Sequence, residues 1–132
     1  MHLKYFDDIR AFRHASDAYL VAHEAEHNLL FGIAASIAEN PRAYGDAAPL
    51  LATVDRDGET AAVALRTPPF NLILSMADDD AVRFVVERLS SAHPEIPGVI
   101  GREHEAALFS ARWAEATGAR PRRMFAQRIY PA

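Results

Sequence analysis

The stretch from Leu50 to Asp80 constrains the fold more than any other part of the chain. Leu50-Leu51-Ala52-Thr53-Val54 is an apolar run, and Asp57-Gly58 follows it. That dipeptide is a strong hairpin signal, because a tight primed turn needs positive φ and glycine supplies it without steric cost. Thr60 to Leu65 then returns as a second strand. Arg66-Thr67-Pro68-Pro69 breaks the ladder, since proline lacks the N–H a strand must donate. Phe70 to Ser75 reads as a third strand, apolar almost throughout and so expected to be buried on both faces. Met76-Ala77-Asp78-Asp79-Asp80 leads from it into a helix.

The flanking segments read as helices and short strands. Phe12 to Glu39 is one long helix or two consecutive ones, with Tyr19, Leu20, His23, His27, Leu30, Phe31 and Ile37 at three- and four-residue steps. Ser16 and Asp17 are its candidate caps, and Gly32 inside the pattern marks a bend or a close packing contact. Asn40-Pro41 stops the helix. Asp78, Asp79 and Asp80 suit the start of the helix that runs through Leu89, since short carboxylates accept free N–H groups and meet the positive end of the helix dipole. Pro97 to Gly101 is a short strand bracketed by breakers. Arg102 to Thr117 is a helix with Ala106, Phe109, Trp113 and Ala114 on one side and Gly118 as its stop. Arg122 to Tyr130 closes the chain as a strand. The order α(α)-β-β-β-α-β-α-β implies an α/β (α+β) domain with a mixed sheet packed by helices.

Composition narrows the function classes. The chain has 132 residues, 50% of them hydrophobic, with net charge −4, which suits one domain (1–132) with a single core. No apolar run approaches the roughly 20 residues of a membrane span, and the first residues lack a signal-peptide layout, so a cytoplasmic protein is expected. The absence of cysteine excludes disulfides and thiolate chemistry. Mild acidity argues against a nucleic-acid partner. Arg120, Arg122, Arg123 and Arg128 make the last strand basic, which fits an edge protected against aggregation.

The element order, with Glu24-Ala25-Glu26-His27-Asn28-Leu29-Leu30-Phe31-Gly32-Ile33, Ala64-Leu65-Arg66-Thr67-Pro68-Pro69, Asn71-Leu72-Ile73-Leu74-Ser75, Pro97-Gly98-Val99-Ile100-Gly101 and Trp113, resembles the GNAT superfamily of N-acetyltransferases. More closely, it resembles the N-terminal half of a bacterial two-module subfamily. The resemblance implies a mixed, mainly antiparallel central sheet flanked by helices. It also implies acetyl transfer from acetyl-CoA to a small-molecule amine in the full-length protein. The chain is then expected to be the N-terminal half of a longer protein, partnered by a C-terminal GNAT module or by a second copy. In that superfamily the loop after the fourth strand wraps the CoA pyrophosphate with a glycine-containing pattern and helix N–H groups. The matching stretch, Ser75 to Asp80, has no glycine and carries three carboxylates. It is therefore expected to bind no acetyl-CoA, and this chain alone is expected to be inactive. Glu24, Asn28, Arg66 and Asn71 are the candidate substrate or partner cleft. Arg66 reads first as turn chemistry paired with a surface carboxylate, and in the alternative as an anion anchor in the cleft.

Two readings from other classes stand beside this one. The first is a non-enzymatic dimerisation or small-ligand-binding module. The second is a small zinc hydrolase, because His23-Glu24-Ala25-Glu26-His27 spells HExxH, with His23 and His27 as ligands and Glu24 as base. A third ligand, from Glu103, His104 or Glu105, has no motif to support it, and Glu26 puts a charge where that pattern disfavours one.

Overall fold

The structure, a computed structural model, describes residues 1–118 and the backbone of 122–125. The elements are β1 (His2–Tyr5), α1 (Ile9–Val21), a 3-10 turn (Ala25–His27), α2 (Asn28–Glu39), β2 (Leu50–Arg56), β3 (Glu59–Arg66), β4 (Leu72–Leu74), α3 (Asp79–Ala92), β5 (Gly98–Gly101), α4 (Glu103–Thr117) and β6 (Arg122–Phe125). The six strands form one sheet in chain order. β1 to β4 pair antiparallel, and β4–β5 and β5–β6 pair parallel through the crossover helices α3 and α4. The mixed, mainly antiparallel α/β architecture expected from the sequence is present.

Both faces of the sheet are covered, and the strand alternation sorts the core. Val54, Ala62, Ala64, Leu72, Leu74 and Val99 pack against α3 and α4, whose contributions include Val82, Leu89, Phe109 and Trp113. Leu51, Val63, Leu65 and Ile73 face the other way, onto Phe12 and Leu20 of α1 and Leu30, Ala34 and Ile37 of α2. β4 is thus buried on both faces, as its apolar run implies, but the strand is confined to Leu72–Leu74. Phe70 is 57% exposed in the turn before it, where its N–H donates to the Thr67 carbonyl.

The turn signals hold. Asp57 (φ 53°) and Gly58 (φ 80°) both take positive φ between β2 and β3, the condition of a primed hairpin turn. Gly118 ends α4 at φ 77°, and its N–H donates to the Ala114 carbonyl. Asp78 caps α3 by accepting from the Ala81 N–H at 2.9 Å. A β-carbon on Gly101 would lie 3.3 Å from the Leu74 carbonyl, a tight contact that the neighbouring strand would have to relieve by a few tenths of an ångström.

Three expectations need correction. β1 went unread because four residues, three of them exposed, show almost no alternation. Its place is decided by pairing with β2, from His2↔Asp55 to Tyr5↔Ala52. Ser16 and Asp17 cap nothing: α1 starts earlier, with Asp8 accepting from the Arg10 N–H, and Ser16 is buried inside the helix. Gly32 has open space around its α-carbon, so close packing does not explain it. The bend lies instead between α1 and the 3-10 turn. There the Leu20 carbonyl accepts from the His23 N–H at 3.2 Å and from His27 Nδ1 at 2.9 Å, which uses the acceptor a continuing helix would have offered to Glu24. Arg122 and Arg123 fall in β6, whereas Arg120 and Arg128 lie outside the described residues. Among the described residues no helix is long and apolar enough to cross a membrane.

Candidate functional site

Side chains from four elements converge on the loop between β4 and α3. His27 Nδ1–H donates to the Leu20 carbonyl, which leaves Nε2 as the acceptor for the Met76 N–H at 3.1 Å. Because one partner only accepts and the other only donates, the tautomer is settled by geometry. The Met76 carbonyl accepts from the Tyr19 hydroxyl at 2.5 Å and from the Ser75 hydroxyl at 2.9 Å. Ser75 Oγ also accepts from the Val63 N–H at 2.8 Å. The Ala77 N–H donates to Glu105 Oε2 at 3.1 Å, and the same oxygen takes two bonds from Arg102, at 2.9 and 2.7 Å.

Glu105 is fully buried on α4, and its second oxygen, Oε1, has no partner among the described residues. Arg102, 43% exposed in its side chain, keeps solvent on its outer side. Tyr19 is half-buried, and its phenol is pushed above its ordinary pKa, first by burial and then by the charges of Asp78 and Glu105.

The surface of the loop is acidic but internally paired. Asp78 binds Arg56 through two bonds, at 2.6 and 3.0 Å, and accepts from Ala81. Arg56 and then the Ala81 N–H hold its carboxyl at a pKa of about 2. Asp79 pairs with His104 at 2.7 Å, and that bond raises the histidine above its ordinary value. Asp80 pairs with Arg83 at 3.3 Å.

The four cleft candidates do not meet. Glu24 and Asn28 are exposed and flank His27, beside the C-terminal end of β4. Arg66 and Asn71 lie at the other end of β4, roughly 15 Å away along an extended chain. Arg66 is buried, donates from Nε to the Phe70 carbonyl at 2.9 Å and lies 3.5 Å from Glu95. Its environment is the turn chemistry that was one of its two sequence readings. Asn71 is half-buried and hydrogen-bonded or otherwise in contact.

The HExxH segment lacks the geometry its zinc chemistry needs. A zincin holds both histidines on one continuous helical face. Here α1 ends at Val21, His23 is exposed in the following turn, and both ring nitrogens of His27 are engaged by backbone groups. Among the described residues no group of three or more His, Asp or Glu is placed to hold a metal ion.

Sequence reasoning missed Tyr19, Ser75 and Arg102 as partners of this loop. It named Glu105 only as a guessed metal ligand. The available signal was a charged residue three positions into an amphipathic helix, on its apolar side. Comparison with models of protein families, with curated proteins and with solved structures found no match.

Proposed function

We propose that this chain is a GNAT-like domain that serves an N-acetyltransferase as a structural or substrate-selecting half and does not itself bind acetyl-CoA. Transfer of acetyl from acetyl-CoA to an amine then belongs to a second GNAT module with which this one pairs. One observation carries the reading: three backbone donors at the β4–α3 junction are taken by the chain's own side chains. Met76 N–H is bound by His27, Ala77 N–H by Glu105 and Ala81 N–H by Asp78. A pyrophosphate needs such donors free at a helix N-terminus. It would instead meet three aspartates and a buried glutamate, and like charges at contact distance repel. The residues present do not fit the group. The mixed, mainly antiparallel sheet flanked by helices is compatible with the architecture that the resemblance implies.

The test is calorimetric titration of acetyl-CoA into the 132-residue protein. The expected result is no binding heat at millimolar ligand. Micromolar binding would overturn the reading.

A further inference from the structure

Among the described residues β1 is one free edge of the sheet, and its outward backbone groups can be identified. The Phe6 N–H donates to the Leu51 carbonyl at 2.8 Å. In antiparallel alternation, Phe6, Lys4 and His2 therefore turn their N–H and C=O groups toward β2, and Leu3 and Tyr5 turn theirs outward. The side chains of these same two residues line an open groove between β1 and α3, about 720 Å³ in volume, with Phe84, Glu87, Arg88 and Ala92 on its far wall. A strand added to this edge would lower every second side chain into that groove.

Two cations beside the edge lack a carboxylate partner among the described residues. The Arg88 guanidinium lies over the Phe84 ring at 5.2 Å, and the Lys4 ammonium over the Phe6 ring at 5.1 Å on the opposite face of the sheet. Glu87 is the one acid among the described residues of the groove wall; it also lines the neighbouring α3–α4 groove, with Arg83, Arg112 and Glu115.

We propose that the β1 edge and this groove form a docking site for an extended acidic peptide strand. Its backbone would pair with Leu3 and Tyr5, its apolar side chains would enter the groove beside Arg88, and its carboxylates, on the other face, would meet Lys4. Charge separates this occupant from a second copy of the chain. The antiparallel self-pairing that uses all four free groups is centred on Lys4, with Leu3 opposite Tyr5 of the other copy. It sets two lysines directly opposite each other in a close, non-hydrogen-bonded pair, which is destabilising. A lysine in the middle of an edge strand guards against self-pairing, and an acidic strand removes that repulsion.

The experiment uses the isotope-labelled chain and two capped heptapeptides, one alternating valine and glutamate, the other valine and lysine. The glutamate peptide is expected to slow amide exchange at Leu3 and Tyr5 and to leave α2 unaffected. Lys4→Glu, at an exposed position, is expected to weaken it about tenfold, and Arg88→Glu, on the groove face away from the carboxylates, to weaken it less. Lys4→Glu is also expected to gain binding to the lysine peptide, a result that a merely unfolded variant cannot give. Unchanged exchange at Leu3 and Tyr5, or equal binding of the two peptides by the parent chain, would overturn the proposal. So would concentration-dependent protection of these amides without peptide, which would make a second copy the occupant. The acetyl-CoA titration bears on a different part of the molecule, so either proposal can fail alone.

Discussion

His27 shows how one side chain decides local structure. Its ring joins the Leu20 carbonyl, near the end of α1, to the Met76 amide in the loop after β4, 49 residues along the chain. Replacement by alanine strands the Met76 N–H, takes one of two bonds from the Leu20 carbonyl and leaves a cavity. His27→Ala is expected to cost about 2–4 kcal/mol, read as a lowered midpoint in urea. His23→Ala, at an exposed turn position, is expected to change stability by less than about 0.5 kcal/mol. Added zinc should shift neither midpoint; a metal-dependent rise in the parent protein abolished by both substitutions would restore the hydrolase reading. The two acidic pairs at the start of α3 have opposite pH signatures. Asp78 is held below its ordinary pKa, so its contribution is full above about pH 4 and disappears as pH falls through about 2. Asp78→Asn keeps a capping oxygen but not the charge, and should flatten the acid limb of the melting-temperature profile in that window. His104 is raised, so its pair with Asp79 contributes below about pH 6.5 and is lost as pH climbs through the raised value. Both groups are exposed, so the two slopes are expected to be shallow.

At the scale of elements, local rules explain the hairpin, the capped start of α3 and the glycine stop of α4, because in each the deciding group lies within a few residues. Gly58→Ala is expected to destabilise by about 1–2 kcal/mol, since the turn needs positive φ there. Gly101→Ala should cost a similar amount, about 1–3 kcal/mol, for a different reason: the new methyl meets the Leu74 carbonyl on the neighbouring strand. Denaturant midpoints of the two variants check both values. The first cost is visible from the Asp57-Gly58 pair alone, whereas the second depends on a strand 27 residues earlier. β1 is the extreme of the second kind, a short strand defined by its partner rather than by its own pattern.

Over the whole molecule, one sheet ties the two apolar layers into a single cooperative unit. Trp113, the only tryptophan, is 1% exposed in the α3–α4 layer, stacked at 5.2 Å on Phe109. Its fluorescence and the far-ultraviolet signal of all the helices are expected to give the same urea midpoint. A separate earlier transition of α1 and α2 would show that the layers unfold apart. Much of this architecture was legible in Leu50 to Asp80 and the helices around it, because periodicity, turn residues and caps act at short range. The sites were not. The spacing of His23, Glu24 and His27 suggested a metal-binding face, and Glu24, Asn28, Arg66 and Asn71 suggested one cleft. Spacing along a chain does not say which way a helix breaks or which end of a strand a side chain occupies. Only the tertiary structure turned His27 inward, buried Glu105 against the Ala77 amide and put Leu3 and Tyr5 on an edge strand of the sheet. Those outcomes rest on hydrogen bonds between distant segments, whose energies are settled when the sheet and its two helical layers close.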